Sequence, residues 1–193
     1  TVTGSSISSN VSTDYGGGVR IQSGNLIIED CKVYANDAPS GGGLYLSSGA
    51  EETTRISHSV VTINHANTGG GIWTDSNGST YLVNSTVSGN DAAVDGGGVY
   101  VSSSGAGMHI ASSTISHNTA DLDADGVGDG GGVFIWATET VGLRNTIIAD
   151  NSDGSTYPPN PVAPDCVGTF QSAGYNLVEN RGSPLPACGF DGD

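Results

Sequence analysis

Basic residues are scarce. Arg20, Lys32, Arg55, Arg144 and Arg181 are the whole set, against 20 acids, and the formal net charge is −15. A chain so short of cations cannot neutralise a row of phosphates, which excludes a simple nucleic-acid binder. It also argues against attraction to an anionic membrane surface. No apolar run approaches the ~20 residues of a membrane-spanning helix. Aromatics are 6% and hydrophobics 35%, lean for a conventional packed core. Charged residues are only 13%, so the chain is not of the charge-rich disordered kind either. Proline is nearly absent before residue 152, where Pro39 stands alone. The opening residues 1–8 read as strand rather than as a leader.

Glycine is what the sequence has in excess, with 31 in 193 residues. There is no Gly-X-Y period, so collagen is excluded. Three glycines followed by a branched apolar residue occur five times, at Gly16-Gly17-Gly18-Val19, Gly41-Gly42-Gly43-Leu44, Gly69-Gly70-Gly71-Ile72, Gly96-Gly97-Gly98-Val99 and Gly130-Gly131-Gly132-Val133. The steps between them are 25, 28, 27 and 34 residues. A second signal is a β-branched residue three before an asparagine: Ile7/Asn10, Val33/Asn36, Val61/Asn64, Val87/Asn90, Ile115/Asn118 and Ile148/Asn151. Eight before each asparagine stands another apolar residue, Val2, Ile28, Ile56, Leu82, Ile110 and Leu143.

Between these signals the residues alternate apolar and polar, as in Val99-Tyr100-Val101-Ser102. Period two means strands. Short strands and tight turns at a repeat of 25 to 34 residues predict an all-β fold. The architecture expected is a single-stranded, right-handed parallel β-helix, a β-solenoid of about six coils, with an irregular C-terminal cap. Stacked about 4.8 Å apart, six coils would rise roughly 29 Å. Each strand then buries one narrow stripe between the coils above and below, which explains the lean hydrophobic content. The inward ladders expected are the two apolar positions tied to asparagine, the residue after the glycines, and the residue two further on: Ile21, Leu46, Thr74, Val101 and Ile135.

Asn10, Asn36, Asn64, Asn90, Asn118 and Asn151 read as a structural ladder, hydrogen-bonded along the axis at a bend. Asparagine also tolerates the left-handed backbone of such bends. The triple glycines read as corners rather than phosphate loops, since no helix or cation accompanies them.

Residues 1–151 form the coils in this reading, and 152–193 a separate cap. Six of the seven prolines lie in the cap, from Pro158 and Pro159 onward, as do Cys166 and Cys188. A Cys166–Cys188 disulfide over the last coil is the economical pairing, and implies an oxidising, extracellular setting. Cys31 is left over, either an inward small hydrophobe or a reactive or intermolecular thiol. The N-terminal edge has no cap of its own. Either the chain continues a longer solenoid, or another subunit covers the edge.

Gly-Gly-Gly-[Val/Leu/Ile] paired with [Val/Ile]-x-x-Asn resembles the repeat of the chlamydial polymorphic outer membrane proteins, surface adhesins in which Gly-Gly-x-[Ile/Leu/Val] is paired with an aromatic-x-x-Asn. The runs Asn84-Ser85-Thr86-Val87-Ser88-Gly89-Asn90 and Ser113-Thr114-Ile115-Ser116-His117-Asn118 are more similar to the secreted bacterial β-helix proteins of the choice-of-anchor Q type. The ending resembles them too: Asn145-Thr146-Ile147-Ile148-Ala149-Asp150-Asn151, then Asp165-Cys166, then Gly174-Tyr175-Asn176-Leu177. The resemblance covers essentially the whole chain. It implies a right-handed β-helix at the cell surface or secreted, with no agreed activity.

Three groups of residues are candidate sites. The loop 119–129 carries Asp121, Asp123, Asp125, Gly126 and Asp129, acids at alternate positions around a turn glycine. That pattern suits the oxygen shell of Ca²⁺, or equally an acidic solvated loop. Arg20, Tyr45, Trp73, Tyr100 and Phe134 each follow an inward ladder residue and point outward as one stripe, with Trp136 nearby. Such a stripe stabilises its own ladder, packs on a partner, or stacks on sugar rings. His58, His65, His109 and His117 fall at different repeat positions, without metal-ligand spacing.

The function expected is that of a non-enzymatic extracellular or cell-surface structural solenoid. It would associate with itself, as a filament or matrix subunit, or with surface protein or polysaccharide, as an adhesin does. Catalytic residues are not expected. The alternative is a polysaccharide-binding or polysaccharide-cleaving, lyase-like β-helix.

Overall fold

A computed structural model describes residues 1–75, 77–102, 107–136, 140–154, 164–182 and 188–191. The described residues contain strands and turns and no helix. Every strand pairing is parallel, between one coil and the next. The chain winds as a right-handed β-solenoid of six coils, and the tail adds part of a seventh turn. One coil shows the plan. Leu26–Glu29, Lys32–Tyr34, Asp37–Ser40 and Leu44–Leu46 form four walls, and each strand pairs with its counterpart in the next coil.

The expected inward ladders make the core. Ile28, Ile56, Leu82, Ile110 and Leu143 are sealed from solvent, as are Val33, Val61, Val87, Ile115 and Ile148. Leu44, Ile72, Val99 and Val133 close the opposite wall. Each such side chain is worth about 1.5–3 kcal/mol of burial. Cys31 points inward and is buried, as a small hydrophobe should be.

The two repeat signals are the two halves of one contact. A methyl group at Gly71 would lie 3.0 Å from Asn90 Nδ2 and 2.6 Å from the Gly98 carbonyl. Gly18, Gly43, Gly98 and Gly132 stand the same way against Asn36, Asn64, Asn118 and Asn151. The third glycine therefore makes the space that the asparagine of the next coil fills. The second glycine lets adjacent backbones approach, and the first carries the left-handed corner, φ +64 to +66° in all five triplets.

Inside, the asparagines form an unbroken ladder. Asn64 Nδ2 donates to Asn90 Oδ1 at 2.9 Å and to the Val33 carbonyl at 3.1 Å, and its backbone N–H donates to the same Oδ1 at 3.0 Å. The pattern runs from Asn10 to Asn151. The left-handed bend, however, sits one residue earlier than expected. Ser9, Ala35, Ile63, Gly89, His117 and Asp150 carry φ of 53–62°, and the asparagines do not. The asparagine keeps an ordinary backbone because its amide must face inward, so its neighbour takes the bend.

Ile63 is the costly member of that row, a β-branched side chain at φ 55° and 63% exposed. Ile63→Asn is expected to raise stability by about 1 kcal/mol, the usual penalty for a left-handed L-residue. A urea midpoint unchanged or lowered would contradict this.

Two further ladders stand at offsets from the asparagine. Ser59, Ser85 and Ser113 accept from the backbone N–H of the preceding coil and donate to a carbonyl two residues back. Ala38, Ala66, Ala92 and Ala120 fill the narrow third wall.

The described residues of the tail continue part of the coil pattern. Asp165 occupies the position of a third glycine, its carbonyl accepting from Val133 N–H. Its side chain takes the place of a seventh asparagine, and Asn151 Nδ2 donates to Asp165 Oδ1 at 2.8 Å. Cys166–Ser172 then spans two walls in one strand, pairing with both Val133–Ile135 and Thr140–Arg144. The Cys166–Cys188 disulfide is present and buried, and Phe170 of the same strand is sealed in the core. Pro158 and Pro159 lie outside the described residues.

Candidate functional site

The aromatic stripe assembles as one continuous stack. Tyr45 and Trp73 are parallel at 4.4 Å, Trp73 and Tyr100 at 6.1 Å, and Tyr100 and Phe134 at 5.2 Å. Their register is the parallel pairing of the fourth wall. Tyr15 joins at one end, tilted on Tyr45 at 4.6 Å, and Trp136 at the other. Arg20 lies over Tyr15 and is paired with Asp14 at 2.9 Å. The ring faces thus cover one another, and Tyr45 and Phe134 keep only 9% and 8% of their surface. Burial, reinforced by Asp75, pushes the Tyr45 hydroxyl above its ordinary range. This geometry favours ladder stabilisation, leaving Trp73 and Tyr100 partly open.

The acidic loop divides into two groups. Carboxylate oxygens of Asp121, Asp123 and Asp125 lie within 4.8 Å of one another, a spacing that a hard cation can bridge. Asp121 is fully buried, and its two oxygens accept from Asp125 N–H and Gly126 N–H at 3.1 Å each, so it also shapes the turn.

Asp129 is not one of those three; it stands beside Asp153 and Asp95, with the Asp121 charge also acting on it. Asp95 and Asp129 immediately precede triple glycines in successive coils, and Asp129 N–H donates to Asp95 Oδ1 at 3.0 Å. Burial, then the Asp153 and Asp95 charges, push the Asp129 carboxyl up to about 7. Burial also raises Asp95.

A carboxyl whose pKa rises on folding holds its proton more tightly in the native state. The folded chain therefore carries the extra proton between about pH 4 and pH 7, and stability falls as pH rises through that window. The urea midpoint is expected to be higher at about pH 5 than at about pH 8, and Asp129→Asn should flatten the difference. A midpoint that climbs with pH in the native chain would contradict this.

A third place was not marked by any motif. A groove of about 500 Å³ opens on the first wall, lined among others by Tyr81, His109, Gly142, Arg144 and Gln171. Tyr81, His109, Gly142 and Gln171 occupy one outward row, in register across four successive turns. The tyrosine and imidazole rings stack at 5.0 Å, 17° from parallel. The available signal was the position nine before each asparagine, which reads Thr1, Ile27, Arg55, Tyr81, His109 and Gly142.

The sequence model of a family described as a right handed beta helix region matches residues 1–91. No curated protein and no solved structure matches the chain. The parallel solenoid and that match together make this a β-helix repeat protein. Its disulfide fits an extracellular protein. Among the described residues, no helix is long and apolar enough to cross a membrane.

Proposed function

We propose that the chain is a non-enzymatic structural solenoid of the extracellular or cell-surface kind. Its work is to hold a stiff, flat-walled body and present its flanks to copies of itself or to other surface material. The observation that carries this reading is the asparagine ladder, unbroken from Asn10 to Asn151 and closed on Asp165. With the stacked rings beside it, the ladder commits the repeated polar and aromatic residues to holding coil against coil.

The second wall supports the same reading. Its outward positions include Ser6, Ser8, Thr62, Thr86, Ser88, Thr114 and Ser116.

Sedimentation velocity and electron microscopy of the purified chain, with and without Ca²⁺, test the proposal. Concentration-dependent assemblies are expected, strengthened by Ca²⁺ or salt, which screen a net charge of −15. Dispersed ~19 kDa particles under all conditions would overturn the self-association. Turnover of a polysaccharide by the same preparation would overturn the non-enzymatic reading.

A further inference from the structure

The aromatic stack gathers the rings that give up an electron most readily. It holds both tryptophans and three of the seven tyrosines, and Phe134 is the one phenylalanine among its six rings. Ladder packing alone does not ask for this. Any aromatic or β-branched pair stabilises a sheet. A covered phenol or indole must also find a partner for its polar edge, a demand that phenylalanine does not make. The chain meets that demand at Tyr45, which is buried.

Contact is continuous from end to end. Neighbouring ring centroids lie 4.4 to 6.3 Å apart, the separation of stacked aromatic pairs. The stack runs over four coil spacings, about 19 Å. Tyr15 and Trp136 form its two ends and are 37% and 55% exposed, whereas Tyr45 and Phe134 between them are buried. The sulfur groups that usually take an oxidant first are out of reach. Met108, the single methionine, and Cys31 are buried, and Cys166 and Cys188 are joined.

Charge favours the departure of an electron. Asp75 acts on Tyr45, and Asp95 on Tyr100. A carboxylate beside a ring stabilises the positive charge that the ring acquires on losing an electron. A phenol so charged sheds its proton. Burial makes Asp75 and Asp95 more basic than an ordinary carboxylate, so each is suited to receive it. The one cation of the stripe, Arg20, lies over Tyr15 but is paired with Asp14 at 2.9 Å. A net charge of −15 also draws cationic oxidants to the surface.

We propose that the stack from Trp136 to Tyr15 is a relay for single-electron oxidation along the solenoid axis. A one-electron oxidant outside the chain takes an electron from the exposed Trp136 indole. The indole refills from Tyr100, past Phe134, and the deficit moves through Trp73 and Tyr45 to Tyr15. Tyr15 ends as a neutral phenoxyl radical, its proton released to solvent, and Trp136 is restored. The oxidant has gained one electron, and Tyr15 has lost one electron and one proton. This role is independent of self-association. It would carry an oxidising hit from one end of the wall to an exposed phenol that an outside reductant can repair.

Flash photolysis of the full chain with tris(bipyridine)ruthenium(II), and a cobalt(III) ammine as irreversible electron acceptor, is the test. The photogenerated ruthenium(III) is the oxidant. Trp73 and Trp136 are the only indoles, so an indole-radical absorbance reports the stack alone. It is expected to decay as the phenoxyl absorbance grows, at a rate independent of protein concentration. Peptide mapping should then find Tyr15 modified several-fold more than Tyr175, which is 89% exposed but outside the stack. Trp73→Phe keeps a ring in the stack but one that resists oxidation. It should cut the Tyr15 to Tyr175 ratio several-fold and raise oxidised Trp136, with the melting temperature unchanged. Tyr15→Phe, at the exposed end, should move the phenol modification to Tyr45. A Tyr15 to Tyr175 ratio unaffected by Trp73→Phe would overturn the relay. So would an indole radical whose decay rate scales with protein concentration, or an unmodified Tyr45 in Tyr15→Phe.

Discussion

Gly70→Ala is expected to leave little folded protein. Gly70 is the second glycine of its triplet, and the new methyl would press on the Asp91 carbonyl of the next coil and lie 2.6 Å from the Gly97 carbonyl. Both obstacles are backbone, and each belongs to a coil paired in register with its neighbours. Neither can yield without moving a stretch of parallel ladder. Overpacking a core typically costs about 1–3 kcal/mol when side chains can adjust. Here they cannot, so the cost should exceed about 3 kcal/mol, lowering the melting temperature by roughly 10 °C or more. Gly49→Ala is the control. That glycine is exposed, and its methyl would meet only the Glu52 side chain, at 3.4 Å. Its melting temperature should match the parent. Equal melting of both variants would mean that the coils are not stacked at this spacing.

Asn90→Asp is expected to be nearly as damaging, for an electrostatic reason. Asn90 is fully buried. Its Nδ2 donates to the Val61 carbonyl at 3.0 Å and to Asn118 Oδ1 at 2.9 Å. An aspartate places an oxygen against those two acceptors and carries an unpaired charge into the core. Removing one partner of a buried charged or polar network costs about 3–5 kcal/mol. The damage should shrink at low pH. The substituted carboxyl would have a raised pKa in the folded state, so it destabilises above that pKa and less below it, where its proton restores one donor. Asn10→Asp, at an exposed position where Nδ2 makes one ladder bond, should cost much less. Denaturant midpoints of the two variants across pH measure this directly. A mild, pH-independent effect at Asn90 would contradict the buried ladder.

The architecture was legible because it repeats one contact. Val33, Asn36 and Gly43 recur at related offsets since each coil must pack on an identical neighbour, so periodicity alone located the inward ladders and the asparagine row. The serine ladder was hidden because Ser59, Ser85 and Ser113 look like ordinary outward polar residues, although each stands five before an asparagine. Asp165 was hidden more deeply. It sits in a glycine's place, does an asparagine's work, and follows a proline-rich stretch that breaks the register. The aromatic stripe is legible as a row, but sequence shows neither that its rings cover one another nor that Tyr15 joins them. The groove was least legible of all. Its defining residue, Gly142, has no side chain, and the row it interrupts varies from Ile27 to Gln171. The acidic loop is legible as a group, yet its shape draws the carboxylates of Asp121, Asp123 and Asp125 together and sets Asp129 beside Asp153 and Asp95, where the Asp121 charge still acts on it.

The central claim is that the repeated asparagines and glycines are committed to holding the coils together. Residue-resolved hydrogen exchange of the folded chain tests it most directly. The backbone N–H groups of Asn36, Asn64, Asn90 and Asn118 each donate to the asparagine of the next coil. They should be among the slowest in the molecule, exchanging together by global unfolding. Exchange of these amides at the rate of the exposed 49–52 turn would contradict the account.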